Sequence, residues 1–168
     1  MQHDSLIEDI KRFMRQFPQG VSLVTTVEEG GKPRGMTISS FTSLSLTPPL
    51  IMMAIAKDAS SYNAFMSCRS LNVQLLNHDQ ASIASKFATK IDHDEKFRGL
   101  NVTPDSNGNP IVAGSLGYLE CEKHQVHDVG DHSLIIARVT GAKLLLDSRP
   151  LVYHNRQFTT VANHPIGN

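Results

Sequence analysis

The chain has 168 residues with 16 basic and 16 acidic side chains, so its formal net charge is zero. This length fits a single domain over residues 1–168 with its own core, and the charge balance offers no surface for nucleic acid or an anionic membrane. No apolar run approaches the roughly 20 residues of a membrane helix, and the polar N terminus does not resemble a signal peptide. Cys68 and Cys121 lack metal-motif spacing, so we expect reduced thiols and a cytoplasmic protein.

The first predicted element is an amphipathic helix. Ser5 and Glu8 have the spacing of a capping box, and Pro18 marks the end of the helical pattern. Apolar residues recur between them at helical intervals, which indicates a helix that packs on an apolar surface. These residues are Leu6, Ile10, Phe13, Met14 and Phe17.

A strand over residues 21–27 and a turn over residues 29–33 predict a hairpin that leads into the stretch RGMTISSFTSLSLTPPLIMMAIAK, residues 34–57. We interpret this stretch as two strands joined by a tight corner at residues 47–49, because two successive prolines lack amide donors. The first strand alternates with period two, and the second, residues 50–56, is an apolar run typical of a fully buried strand.

The corner is unusually rich in hydroxyl groups. Burying a hydroxyl without a partner costs about 1–3 kcal/mol, so a strand that only fills a core would use aliphatic residues instead. Two interpretations stay open: a solvent-facing strand edge with local turns, or a polar wall facing a planar, hydrogen-bonding ligand. The hydroxyls belong to Thr37, Ser39, Ser40, Thr42, Ser43, Ser45 and Thr47.

The remaining chain predicts further strands and short helices. Ser60 and Ser61 are candidate caps of a helix, and the polar run after residue 88 predicts a surface loop or a lid. Many strands with few long helices predict a mainly β fold, a closed antiparallel barrel with helices outside it. The predicted elements are helices at residues 62–67 and 80–88, and strands at 71–76, 111–112, 117–125 and 134–146, with a loop at 89–110.

Six segments, in this order and at these spacings, resemble the flavin reductase-like family, the small FMN-binding split-barrel reductases of two-component monooxygenases. The resemblance runs from about residue 13 to about residue 160. It implies an FMN-binding split barrel (an antiparallel Greek-key β-barrel) with peripheral helices, assembled as a homodimer. The segments are GMTISSFTSLSLTPPLIMMAIAKDASSYNAF, LNVQLL, SKF, KF, GDH and PLVYHNRQF.

The resemblance implies hydride transfer from NADH or NADPH to FMN or FAD, with the reduced flavin supplied to a separate monooxygenase. Because one fold hosts many functions, two alternatives stay open. One is a non-enzymatic flavin- or haem-binding protein, and the other is an oxidase that retains its flavin, in the manner of the related pyridoxamine-phosphate oxidases. The residues do not decide between FMN and FAD as the flavin, or between NADH and NADPH as the hydride donor.

Two groups of residues are candidates for holding the flavin. The corner hydroxyls and amides could bond its pyrimidine edge, and a lysine beside a helix N terminus could bind its phosphate. An ordinary N-cap with a solvated lysine explains the second group as well. The edge group is Thr37, Ser39, Ser40 and Ser45, and the phosphate group is Ala56, Lys57, Ser60 and Ser61.

Three further positions match the family pattern. Asn72 lies in a predicted buried strand, where its amide must find partners, so it is either a structural pin or a flavin contact. Lys86 and Phe87 fall on the second predicted helix, where an aromatic residue lies close to the flavin in relatives. Phe87 could equally be a core residue.

The motif Gly130-Asp131-His132 presents an imidazole at the mouth of a strand, since glycine permits an unusual backbone angle. In the family this histidine lies near the nicotinamide and the flavin. Hydride transfer itself needs no acid or base, whereas imidazole titrates near neutral pH. We therefore expect His132 to position the reactants first and to donate a proton second.

The C-terminal segment contributes Tyr153, His154 and Arg156, which either contact a ligand or form a surface loop. An arginine such as Arg34 or Arg156 could serve a 2′-phosphate. The eight histidines show no metal-binding motif, so we expect no metal site. No Gly-x-Gly-x-x-Gly follows a strand, which excludes a Rossmann-type nucleotide site and fits a nucleotide that binds transiently over the flavin.

Overall fold

This computed structural model describes residues 2–162. The chain is mainly β, with a long N-terminal helix and three short helices among its described residues. In chain order the elements are α1 Gln2–Gln16, β1 Gln19–Gly20, β2 Ser22–Val27, β3 Pro33–Ile38, β4 Thr42–Leu46, β5 Pro49–Ala56, α2 Tyr62–Ser67, β6 Ser70–Leu75, α3 Ala81–Ala88, α4 His93–Phe97, β7 Val102–Pro104, β8 Pro110–Val112, β9 Gly117–Val129, β10 His132–Leu144, β11 Leu151–His154 and β12 Gln157–Thr160.

Seven strands form one antiparallel sheet in the order β3-β2-β6-β9-β10-β5-β4. The two edge strands, β3 and β4, are joined only by residues 39–41. A flat sheet of this size would hold its edges about 29 Å apart, whereas this connection reaches about 15 Å when fully extended. The sheet is therefore strongly curled, and its two edges approach each other at residues 39–41, within the hydroxyl-rich stretch.

The connection between the edges is fastened by one serine. The Ser40 hydroxyl donates to the Ala54 carbonyl at 2.8 Å and accepts from the Ala54 amide at 3.1 Å. Ser40 thereby links the start of the β4 region to β5, which pairs with both β4 and β10. At least one of the seven hydroxyl residues of this stretch, Ser40, therefore has a structural role.

The buried side chains form two clusters. One contains Phe65, Met53 and Ile135 and lies between the curled sheet and α2. The other contains Phe87 and Leu151 and joins α3 to the small sheet of β1, β11 and β12. The second cluster therefore ties the C-terminal hairpin to the end of the sheet where β3 stops.

Several predicted elements are confirmed. The strand at residues 21–27 is β2, and the helices at 62–67 and 80–88 are α2 and α3. The predicted strand at 71–76 is β6, one residue earlier. No helix within residues 2–162 is long and apolar enough to cross a membrane.

The stretch at residues 34–57 contains three strands, so the prediction of two strands was wrong. The first strand ends at Ile38, and the chain crosses from one sheet edge to the other before β4 begins. Residues 47–48 do form the predicted turn, but Pro49 already pairs with Leu46. β5 is also not fully buried, because only Ile51, Met53 and Ile55 face the core and their neighbours are partly exposed.

The N-terminal helix departs from its prediction in two ways. It begins at Gln2, so Ser5 lies inside the helix and is not its N-cap. Its apolar side chains remain exposed, from 38% for Ile7 to 73% for Phe13. The main chain of the helix is held by the Asn155 amide, which donates to the Arg15 carbonyl at 2.8 Å. The apolar face of α1 is therefore not covered by the chain's own residues.

The segment at residues 89–110 is more ordered than a polar loop. It contains α4 and β7, and β7 pairs with β8. Three of its polar residues are buried, Lys96 with 1%, Asp105 with 9% and Asn109 with 0% exposure. The Lys96 ammonium donates to the Phe87 carbonyl at 3.3 Å. The segment is thus part of the packed structure, although the ring nitrogens of His93 and the side-chain oxygen of Asn109 are buried without a hydrogen-bond partner among the described residues.

Candidate functional site

A cleft of about 380 Å³ opens where β3 ends, between α3 and the β11–β12 hairpin. Its volume lies in the usual range for small-molecule sites. The lining combines hydroxyl groups, aromatic rings and one cation with an apolar floor. These residues are Val21, Thr37, Ile38, Ser39, Ser85, Ala88, Tyr153, Arg156 and Phe158.

The polar wall of the cleft has one hydroxyl in use and two available. The Thr37 hydroxyl donates to the Ala84 carbonyl at 2.8 Å, which holds α3 against β3. The Ser39 and Ser85 hydroxyls make no hydrogen bond within the described part of the chain. A half-exposed hydroxyl without a protein partner is free to bond a ligand.

The opposite wall is a tight hairpin turn. Asn155 and Arg156 form the two-residue turn between β11 and β12, and both have positive φ angles, 47° and 64°. Such two-residue hairpin turns require positive φ at both positions. Asparagine tolerates this conformation better than most residues. The Tyr153 and Phe158 rings lie side by side on the hairpin, with centroids 5.4 Å apart. The hairpin thus presents an aromatic surface and the Arg156 side chain to the cleft.

A second polar region lies at the end of β5, where five of the predicted site residues meet. His132 pairs with Ala56 in the β5–β10 register, and the Lys57 amide donates to the Asp131 carbonyl at 3.0 Å. Gly130 and Asp131 form the two-residue loop between β9 and β10, with Gly130 at φ 58°. The prediction that this glycine adopts an unusual backbone angle is confirmed.

The His132 imidazole is oriented by its neighbour. Its Nδ1 lies 2.7 Å from a carboxylate oxygen of Asp131. The hydrogen bond with His132 is the main reason that the pKa of Asp131 is lowered from its ordinary value. An ionised carboxylate accepts, so Nδ1 carries the proton in this bond, and Nε2 is left for other partners.

A chain of hydrogen bonds supports this region from behind. The Tyr62 hydroxyl bonds the Ser133 hydroxyl at 2.7 Å, and Ser133 donates to Asp128 at 2.7 Å. The bond from Ser133, followed by the nearby charge of Lys57, lowers the pKa of Asp128. Lys57 lies 3.6 Å from the Asp128 carboxylate. Sequence reasoning missed Tyr62, Asp128 and Ser133, although a serine at a buried strand position signals a polar partner.

The two regions are connected through β5. Ser40 bonds Ala54 on one side of the strand segment that ends at Ala56, and Ala56 pairs with His132. The end of β5 therefore lies between the β3–β4 connection, residues 39–41, and His132. Both the hydroxyl group around Ser39 and the group around His132 were predicted from the sequence, but the sequence did not show that β5 connects them.

Two predicted flavin ligands have structural partners instead. Ser61 occupies the N-cap position of α2, but its side chain makes no capping bond. It is buried and donates to the Gly35 carbonyl at 3.1 Å, so the prediction that it caps the helix was wrong. The Ser45 hydroxyl accepts from the Thr47 amide at 3.2 Å, which is the local turn that the alternative interpretation described.

Three predicted residues of the family pattern lie outside the cleft lining. Phe87 is 1% exposed and packs edge to face on Phe97, with centroids 4.9 Å apart, so it is a core residue. Lys86 donates to the Arg98 carbonyl at 2.9 Å. Asn72 is fully buried and donates to Asp105 at 3.1 Å, which is the structural pin that the sequence left open.

Five residues of the cleft were not predicted as site residues: Val21, Ile38, Ser85, Ala88 and Phe158. Ser85 belongs to the SKF segment and Phe158 to PLVYHNRQF, so both segments were identified from the sequence, although these two members were not among the predicted residues. Position on α3 explains this, because Phe87 points into the core while Ser85 faces the cleft. Among the side chains of residues 4–162, no three from histidine, cysteine, aspartate or glutamate are grouped to hold a metal ion.

A family model described as "Flavin reductase like domain" matches residues 14–162. The actinorhodin polyketide dimerase of Streptomyces coelicolor is 33% identical over 89% of this chain and 84% of its own. The reductase subunit HsaB of a flavin-dependent monooxygenase of Rhodococcus jostii is 33% identical over 91% and 78%. The structure of a Streptomyces globisporus NADH:FAD oxidoreductase with NAD and FAD fragments has a TM-score of 0.85, with 30% identity and 92% of each chain covered.

Proposed function

We propose, since the chain belongs to the flavin reductase-like domain family, that it catalyses hydride transfer from NADH or NADPH to FMN or FAD. The observation that carries this proposal is the cleft at the end of β3, where two hydroxyls without protein partners face an aromatic hairpin. The relatives named as flavin-dependent reductases support the same chemistry.

The residues of the cleft fit a flavin. Its ring system needs hydrogen-bonding groups along one edge and an apolar surface against a face. Ser39 and Ser85 offer the first, and Tyr153 with Phe158 offers the second. A bound flavin would supply the two-electron acceptor, because no protein side chain accepts a hydride reversibly.

The protein's own residues would bind and orient the reactants. We assign the flavin edge to the Ser39 hydroxyl and the adjoining amides, with Thr37 holding α3 in place and Ser40 fixing the corner. Lys57 and the exposed Ser60 are our candidates for the phosphate, and Ser61 is not one of them because its hydroxyl bonds Gly35.

We assign His132 the role of positioning the pyridine nucleotide through Nε2, with Asp131 holding the imidazole and Gly130 setting the loop. Proton donation is its second role, as expected for an imidazole at the end of a strand that faces solvent. His132 is half-exposed, with 44% of its side chain accessible, so a nucleotide can reach it.

We further propose that the chain is one split-barrel domain, closed at the β3–β4 connection of residues 39–41. We also propose that it works in the cytoplasm as a homodimer and that its partner is a monooxygenase. The reductase subunit HsaB supports such a partner. The two free, buried cysteines agree with a reducing compartment. An apolar groove of about 360 Å³, lined by Phe41, Leu75, Tyr118 and Leu144 among others, supports the homodimer.

The test is consumption of NADH and of NADPH by purified protein with FMN, FAD or no flavin. We expect turnover that rises with added flavin. Ser39→Ala should weaken flavin binding about 5- to 10-fold without loss of stability, because its hydroxyl has no protein partner. Thr37→Val is the matched comparison: it removes the bond to Ala84 and should lower the free energy of unfolding by about 1 kcal/mol.

Absence of turnover with every pair would contradict the reductase. Our second candidate is an enzyme that retains its flavin and acts on an organic substrate; the polyketide dimerase among the relatives supports the organic substrate. Flavin that stays with the protein through gel filtration and is not reduced by either nucleotide would support that candidate.

A further inference from the structure

A second pocket of about 320 Å³ lies between α1 and the β11–β12 hairpin. Lys11, Arg15 and Phe17 line it from the α1 side, and Tyr153 and Arg156 line it from the hairpin. Because Tyr153 and Arg156 also line the cleft, the two cavities share a wall. We call the second cavity the α1 pocket.

The position of the α1 pocket is fixed by the main chain. The Asn155 amide at the tip of the hairpin donates to the Arg15 carbonyl near the end of α1, at 2.8 Å. This bond holds the last turn of the helix beside the turn that carries Arg156. The exposed apolar residues Leu6, Ile10 and Phe13 are not among the residues that line the pocket.

The α1 pocket is basic. Lys11, Arg15 and Arg156 line it, and no aspartate or glutamate does. Lys11 is partly neutralised by Glu8 at 2.7 Å. The charge of Arg15 acts weakly on Glu8 without an ion pair, and Arg156 forms no ion pair with any residue in the described part of the chain. Two unpaired guanidinium groups at one cavity suit a phosphate, which arginine binds through paired N–H donors.

The pocket also has aromatic walls. Phe17 is 55% and Tyr153 is 38% exposed, so both rings are available to a ligand. Aromatic rings stack on nucleobases regardless of the base, with cationic groups beside them holding the phosphates. An aromatic and basic pocket next to a flavin-sized cleft therefore suits a nucleotide that extends out of the cleft.

We propose that the α1 pocket binds the adenosine phosphate half of a dinucleotide whose reactive ring lies in the cleft. This inference rests on the proposed function. Two dinucleotides contain this adenosine phosphate half, FAD and the pyridine nucleotide. Of the two arginines that the sequence offered for a 2′-phosphate, Arg34 is held by Glu28 at 2.5 Å, whereas Arg156 is unpaired.

The first experiment titrates AMP and adenosine 2′,5′-bisphosphate into flavin-free protein by calorimetry. We expect both to bind and Arg15→Gln to weaken them about 10-fold, since a charged hydrogen bond is lost. Arg12→Gln is the matched control, because Arg12 lies on the same helix beside Asp9 and outside the pocket. No binding of either nucleotide, or equal losses in the two variants, would overturn the proposal.

The second experiment distinguishes the two sources with the same Arg15→Gln variant. Weaker binding of FAD with unchanged binding of FMN assigns the pocket to the flavin dinucleotide. A higher KM for NADPH or NADH at unchanged FMN affinity assigns it to the pyridine nucleotide. Equal losses for FMN and FAD, with an unchanged KM for both pyridine nucleotides, would contradict both assignments.

The two proposals fail separately. AMP binding needs no turnover, so protein that binds AMP through Arg15 but oxidises neither NADH nor NADPH would refute the reductase and leave the pocket in place. Protein that reduces flavin but does not bind AMP would refute the pocket alone.

Discussion

Two histidines show how surroundings decide the role of the same side chain. His132 is half-exposed and bonded to Asp131, which suits contact with a substrate. Both ring nitrogens of His93, by contrast, are buried without a hydrogen-bond partner among the described residues. Burial, followed by the charges of Lys96 and Arg34, lowers the pKa of His93 from its ordinary 6.5. The folded state therefore opposes protonation of His93.

The lowered pKa predicts a loss of stability in acid. Well above pH 6.5, His93 is neutral in both the folded and the unfolded states and contributes nothing. As the pH falls below 6.5, the unfolded chain takes up the proton first, so the free energy of unfolding decreases until His93 is also protonated in the folded protein. Urea denaturation at pH 7.5 and 5.5 should show a smaller decrease for His93→Leu than for the wild type.

His127 provides the control for this comparison, because it lies exposed on β9. His127→Gln should keep the pH dependence of the wild type. If His93→Leu shows the same decrease in unfolding free energy between the two pH values as the wild type, His93 does not cause it.

At the scale of elements, two helices approach the main chain of a strand closely at Gly35 in β3. A Cβ atom at this position would lie 2.7 Å from a ring carbon of Phe87 in α3 and 3.2 Å from Phe97 in α4. The edge-to-face ring pair thus packs directly on the main chain of β3. This contact places α3, and with it Ser85, at the cleft.

We predict that Gly35→Ala displaces this ring pair and lowers the free energy of unfolding by about 1–3 kcal/mol, the usual cost of overpacking a core. It should also weaken flavin binding, since α3 carries one wall of the cleft. Thermal or urea unfolding measures the first effect. Gly20→Ala is the control, because nothing lies within 4 Å of its added Cβ. Equal stability of the two variants would contradict the packing argument.

At the scale of the whole molecule, apolar surface remains uncovered on several elements. Leu46 in β4 is 85% exposed and Leu144 at the end of β10 is 79% exposed. Leu144 also lines the apolar groove with Phe41 and Tyr118. Exposed apolar surface that is continuous with a groove is characteristic of a protein interface.

The homodimer proposed above predicts a sedimentation mass of two chains at micromolar concentration. Leu144→Asp should shift the protein toward the monomer, because a buried, unpaired carboxylate opposes association. Ile91→Asp is the control, since Ile91 is exposed on the segment between α3 and α4, away from the groove. A wild-type monomer, or a dimer that Leu144→Asp leaves intact, would refute this interface.

The sequence by itself determined those elements whose identity depends on neighbours along the chain. Local periodicity and turn residues are sufficient for α2, α3 and the Gly130-Asp131 loop, because their hydrogen bonds and turn angles are local. They are sufficient for β2 because its valine and threonine residues favour a strand whatever its partner strands are. The order of segments was also sufficient for the family. It was insufficient for the strand count at residues 34–57, since alternation does not reveal where the chain leaves a sheet edge.

Only the tertiary structure decided which hydroxyls are free. Thr37 bonds Ala84 across 47 positions, and Ser61 bonds Gly35 across 26, whereas Ser39 bonds nothing in the described chain. In the sequence these residues look alike. Whether a polar group is spent on the fold or left for a ligand depends on distant residues that the folded sheet brings within hydrogen-bond distance, and sequence spacing carries no information about that distance.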